Sequence, residues 1–271
     1  APLSVVSNKH ETAPASMPEM LQRKAKKPGR NKKISPETRF WKFVGAGQWD
    51  QALRVFQKIK KPSASLVAAG ERLQILNAWV SENKESVWVA GAWTGERSER
   101  PFLIQTNQIS RKDYFLACEE HQLPLPRGWS KYIDRFEDSE GPVDDISFEE
   151  AKRYAFLYNR EVPSFDQLVR ANYHITLPAG LPEWTSSTNQ FNRQLVKCFS
   201  ASPAHQKYRK SLHRDENHTK VGFRCVRVLE RSHVPDVLLE LTAQLPAALP
   251  VDELPRLLSS EQFASLLKES A

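Results

Sequence analysis

The chain has 271 residues, 40% hydrophobic and 10% aromatic, with a formal net charge of +7. That is enough apolar material for one good core with a smaller appendage, and it excludes a chain that is disordered throughout. No apolar run approaches the ~20 residues that a membrane span needs, so no transmembrane segment is expected.

Charge is concentrated at the front. Residues 1–34 are read as a basic flexible arm or linker: Lys9, Arg23, Lys24, Lys26, Lys27, Arg30, Lys32 and Lys33 stand against Glu11 and Glu19. The composition there, rich in Pro, Ser, Ala and Lys, cannot bury enough apolar surface to order itself. The cluster from Arg23 to Lys33 suits an anionic surface, but no aromatic residue is interleaved for base stacking, so specific nucleic-acid recognition is not expected. The sequence opens on Ala1 rather than Met, as a processed or excised piece of a longer protein would.

Residues 35–82 read as a helical segment. Phe40, Phe43, Val44, Trp49, Leu53, Phe56 and Ile59 recur at spacings of three and four, and Leu66 to Val80 carries a second apolar stripe. The run Gly45-Ala46-Gly47-Gln48-Trp49-Asp50-Gln51-Ala52-Leu53 resembles the turn of a tetratricopeptide hairpin. A single such unit must pack on something else to cover both faces. Strands are expected at Val87 to Trp93 and Pro101 to Thr106, then a capped helix over Ser110 to His121. Leu123 to Gly141, rich in Pro, Gly and charge, reads as a long surface loop, with Trp129, Tyr132, Arg135 and Phe136 as the candidate binding residues.

Two capped helices follow. Ser147-Phe148-Glu149-Glu150 has capping-box spacing, with Ala151, Tyr154, Ala155 and Tyr158 as the stripe behind it. The device repeats with Pro163 as breaker, Ser164 as cap and Gln167 at its third position. Glu183-Trp184-Thr185 and Val221 to Arg227 read as short strands, and Arg209 to Lys220 as a charged solvated loop. Residues 230–271 form a Leu-rich helical extension whose Leu stripes must be buried: packing back on the first helices is the favoured reading and an exposed docking face the alternative.

The order of these pieces resembles the formylglycine-generating enzyme, or sulfatase-modifying factor, family over residues 87–229. The matching runs are Pro142-Val143 with Ile146-Ser147-Phe148-Glu149-Glu150-Ala151, then Glu161-Val162-Pro163-Ser164, Glu183-Trp184-Thr185 and Gly222-Phe223-Arg224. The strand-then-helix pattern over Phe102 to Phe115 fits the opening of such a domain. The resemblance implies an α+β fold, a variant of the C-type lectin fold, here flanked by helical N- and C-terminal segments. It makes Ser147, Glu150, Pro163, Ser164, Trp184, Gly222, Phe223 and Arg224 fold-motif residues.

The family's oxidase chemistry needs a pair of neighbouring cysteines to hold copper between the Glu-Trp-Thr and Gly-Phe-Arg motifs, and two soft thiolates suit Cu(I). Only Cys198 lies in that interval; Cys118 and Cys225 lie elsewhere. No His-x-x-x-His pair supports an iron site of the kind its sulfoxide-forming relatives use. Gly180-Leu181-Pro182-Glu183-Trp184 replaces the family's calcium-binding run, so calcium stays unsupported and no cofactor is expected. There is no P-loop, dinucleotide fingerprint or nucleophile elbow. Arg160, Glu161, Glu183, Arg224 and Arg227 are expected to form salt bridges around the core. Three cysteines without evident pairing fit a reducing compartment, and one disulfide with a free thiol fits an oxidising one, so cytoplasmic and periplasmic or envelope locations both stand.

The expectation is therefore a non-catalytic binding or assembly module that engages a protein partner in a bacterial signalling or envelope system. The alternative is a sulfatase-modifying or related metal-dependent oxidase with a rearranged site.

Overall fold

The computed structural model describes residues 34–94, 96–126, 129, 140–175, 177–178, 180–189, 194–197, 209–212, 220–259, 263–264 and 267. The basic arm, Cys198, His213 and His218 lie outside the described residues. Ser35–Ala271 is one compact unit of α+β architecture.

Local chemistry starts the helices. Ser35 Oγ accepts from the Thr38 N–H at 3.0 Å with Pro36 in the first turn, and α1 runs Pro36–Gly45. It turns at Gly47 into α2, Trp49–Phe56. Gly47 has a φ of +67°, and a Cβ there would collide with the Pro255 carbonyl oxygen, so both the turn and the approach of the C-terminal segment require glycine. The long α3, Ala64–Asn83, buries Leu66, Ala69, Leu73, Leu76 and Trp79 on one stripe. Among the described residues, no helix is long and apolar enough to cross a membrane.

Two antiparallel sheets follow. In the first, β1 (Ser86–Val89) lies between β2 (Phe102–Gln105) and β7 (Ala248–Pro250), and β2 carries β6 (Val226–Val228) on its far side. The second is β3 (Glu183–Thr188), β4 (Gln194–Lys197) and β5 (Arg209–Leu212) in sequence order. Between the sheets in sequence run α4 (Arg111–Glu120), α5 (Phe148–Leu157) and α6 (Phe165–His174); α7 (Asp236–Leu241) and α8 (Leu254–Leu257) come last.

Successive strand residues point to opposite faces, and both faces of the first sheet are covered. Trp88, Leu103 and Leu249 pack with α1–α3 and with the C-terminal residues Val237, Leu238, Leu241, Leu254, Phe263 and Leu267. Val87, Val89, Phe102, Ile104 and Val226 face Leu168 and Ala171 of α6. A third cluster joins Tyr114, Phe115 and Cys118 of α4 to Phe148, Ala151 and Tyr154 of α5, and to Trp184 and Phe223.

The Leu-rich extension is thus built into the body. Trp49 stacks on Phe263 with ring centroids 5.6 Å apart, and the Trp79 indole donates to the His233 carbonyl at 2.9 Å. Each fully buried Leu contributes about 1.5–3 kcal/mol, which explains why this segment folds back onto α1–α3 rather than presenting its stripe to solvent. Three expectations are corrected. The extension also supplies β7, a three-residue strand that ends on Pro250. Arg209–Leu212, expected as part of a solvated loop, is strand β5. Of Val221 to Arg227 only the end enters a ladder; Gly222 instead makes an isolated bridge to Glu183.

Candidate functional site

The residues of the Glu-Trp-Thr and Gly-Phe-Arg motifs meet in the interior. Glu183 and Arg224 are both fully buried and joined in a forked ion pair: Arg224 Nε donates to the two Glu183 oxygens at 3.0 and 2.9 Å, and Nη2 donates to Oε1 at 2.7 Å. The remaining fork reaches the backbone, with Nη1 donating to the carbonyls of Gln105 at 3.1 Å and Thr106 at 2.6 Å. A buried charge is tolerated only with such complete pairing. This pair therefore ties β3 to the end of β2.

The neighbouring motif residues complete the frame. Gly222 donates to the Pro182 carbonyl at 2.8 Å and accepts from the Trp184 N–H at 2.9 Å, while the Trp184 indole donates to the Ile146 carbonyl at 3.2 Å. Phe223 sits edge-on to Tyr114 and Tyr154. Both expected capping boxes form. Ser147 and Glu150 start α5, and Ser164 and Gln167 start α6. The Pro163 carbonyl accepts from Ser186 N–H at 2.9 Å and so fixes the start of α6 beside β3.

These contacts leave a groove of about 660 Å³ lined by residues of α5, of β3 and of the turn that follows α5. Its composition follows from helical phase. Ala151, Tyr154 and Ala155 are buried, so Glu149, Lys152, Arg153 and Phe156 turn away from the core. Phe156 is 81% exposed. After α5, Asn159 adopts φ +51°, the left-handed conformation common just past a helix end, and Arg160 N–H bonds back to the Ala155 carbonyl at 2.9 Å. Glu161 then exchanges two 2.8 Å backbone bonds with Val226. This turn delivers Arg160, Glu161 and Val162 to the lining of the groove.

The opposite wall is the irregular part of β3. The β3–β4 register shifts between Trp184 and Thr188, and the buried Gln194 side chain fills the break by donating to the carbonyls of Thr185 and, at 2.9 Å, Ser187. Ser187 Oγ accepts from Phe165 N–H at 3.0 Å, whereas Ser186 and Thr188 are exposed and line the groove.

Electrostatically the groove is cationic, with Arg97, Lys152, Arg153 and Arg160 against Glu149 and Glu161. Glu161 is paired with Arg97. Among the described residues, no carboxylate lies at ion-pair distance from Lys152, Arg153 or Arg160. The floor includes the buried apolar side chains Phe148 and Val162. Cations, hydroxyls and an apolar floor suit the capture of an anionic ligand that carries an apolar group.

Of the binding residues expected from sequence, the one described, Trp129, does not line this groove. Trp129 is a core residue, 2% exposed and edge-on to Tyr114 at 5.5 Å, so it offers no binding surface. Tyr132, Arg135 and Phe136 lie outside the described residues. Cys118 and Cys225 are buried free thiols. Burial, and then the Glu150 carboxylate, push Cys118 up to about 11; burial pushes Cys225 up to about 12 against the opposing pull of Arg160. Among the described residues, no group of three or more His, Cys, Asp or Glu is placed to hold a metal ion. The sequence did carry one signal for the groove: Glu149, Lys152, Arg153 and Phe156 are α5 residues out of phase with its apolar stripe. No protein-family model matches the sequence, and no curated protein matches it.

Proposed function

We propose that this chain is a non-catalytic binding or assembly module, a formylglycine-generating-enzyme-like variant of the C-type lectin fold, whose α5/β3 groove engages a protein partner in a bacterial signalling or envelope system. The observation that carries the binding reading is the groove itself: three cations without a carboxylate at ion-pair distance among the described residues, facing two exposed hydroxyls across an apolar floor. Charges left unpaired on a concave surface are held ready for another molecule's charges. The family reading is supported by Glu183 and Arg224, which come from two separate motifs of the resemblance and close on each other in the core.

Two measurements on the full chain test the proposal. A photo-crosslinking residue at Thr188 is expected to capture a defined protein, while the same residue at the exposed Leu116 of α4 does not. Metal analysis and an aldehyde assay on a Cys-x-Pro-x-Arg peptide are expected to show neither stoichiometric copper nor product. Stoichiometric copper, aldehyde formation abolished by Cys198→Ser, or equal capture from both positions overturns the reading.

A further inference from the structure

We infer that the occupant of the α5/β3 groove is an extended acidic segment of the partner protein, its Asp or Glu side chains meeting Lys152, Arg153 and Arg160 and one apolar side chain resting between Phe156 and Val162. This deepens the binding reading above and rests on it.

Charge complementarity is the first argument. Lys152 and Arg153 are adjacent on the exposed face of α5, and Arg160 follows at the turn that closes the same groove. Keeping three cations together with no carboxylate in ion-pair reach among the described residues raises the local potential, which a run of carboxylates lowers on binding. Glu161, in the same lining, is already answered by Arg97.

The apolar component is the second argument. Phe156 stands exposed among these cations, and Val162 and Phe148 are buried beneath the groove, so an apolar side chain of the ligand can be taken out of water between them. A nucleic acid fits less well. Among the described residues of the lining Phe156 is the single exposed aromatic, where a strand of bases needs successive stacking partners.

The test uses the full chain and fluorescently labelled peptides of alternating Asp and Glu with one central position varied among Ala, Leu, Ile, Phe and Trp, followed by fluorescence anisotropy. The apolar-centred acidic peptides are expected to bind and to weaken as salt is raised. The double variant Lys152→Glu/Arg153→Glu is expected to lower affinity by about tenfold or more, and Phe156→Ser by about threefold. Arg160→Gln provides a milder third variant, and thermal melts confirm that all are folded.

The basic arm is controlled by Lys24→Glu/Lys26→Glu, which is expected to leave the groove-dependent binding in place. Failure of every acidic peptide to bind overturns the inference, as does binding that survives the groove double variant. So does a labelled oligothymidylate that binds in place of the peptides and is released by the groove double variant. If any of these occurs while crosslinking from Thr188 still captures a protein, only the acidic-segment inference fails and the binding reading stands.

Discussion

Arginine does two different jobs in this molecule, and the contrast between them separates scaffold from site. Arg224 is fully buried, and its fork is spent on Glu183 and on the carbonyls of Gln105 and Thr106. Arg153, on the outer face of α5, has no carboxylate at ion-pair distance among the described residues. The interior tolerates a guanidinium only when every donor is answered, so Arg224 is dedicated to holding β3 against β2. On the groove wall water supplies the answer, at little cost to the fold, and Arg153 stays available to a ligand.

The sharpest way to break this comparison is to unpair the interior. Arg224→Met leaves the Glu183 carboxylate buried without its counter-charge, and the expected loss is about 3–5 kcal/mol of unfolding free energy in chemical denaturation. Glu183→Gln is expected to destabilise in the same direction. A variant of either kind within about 0.5 kcal/mol of the wild type would mean that the pair holds no structural role, and the two arginines would cease to differ.

A second prediction links the two regions through Arg160, which lines the groove and acts on the Cys225 thiol behind it. Burial raises the Cys225 pKa from 9.0 to about 12, with Arg160 the opposing influence. In the unfolded chain the thiol loses its proton near 9, whereas in the folded chain it keeps it to about 12. Between those values the folded state therefore binds more protons than the unfolded one, and stability falls as pH rises through that window. Below pH 9 the stabilisation is fully present. In a Cys118→Ser/Cys198→Ser background, Arg160→Gln removes the cation that favours the Cys225 thiolate, so thiolate absorbance of the folded chain is expected to appear at higher pH in that variant. An unchanged onset would uncouple the groove from the core.

How much of this could be read in advance depends on the range of each interaction. Ser147 with Glu150, and Ser164 with Gln167, span three residues, so the starts of α5 and α6 were legible from the chain alone. The Leu stripe after Glu230 required burial, and its return to α1–α3 follows from hydrophobic period. β7 was not legible, because Ala248-Leu249-Pro250 has no strand signature of its own and is defined by its register with Val87, Trp88 and Val89. β5 was missed because Arg209 and Lys210 read as solvated charge, while its pairing with β4 is set at a distance. The groove combines both difficulties. Its helical wall is the part of α5 left over once the core stripe is assigned, and its other wall depends on where Gln194 fills the irregular β3 ladder.

The smallest expected effect is also the one that completes the contrast. Lys152→Glu/Arg153→Glu alters two exposed side chains without a carboxylate at ion-pair distance among the described residues, so unfolding free energy is expected to change by no more than about 0.5 kcal/mol. The sign should be neutral to slightly unfavourable: the new carboxylates repel each other and Glu149 and Glu150 one turn back, against the attraction of Arg160. Such a null result in denaturation, set beside a large loss for Arg224→Met, would locate the cost of charge in the interior and leave the groove cations free of structural duty. A loss of several kcal/mol from the groove variant would instead make Lys152 and Arg153 part of the scaffold, because a side chain the fold depends on cannot be given over to a partner without destabilising the chain that carries it.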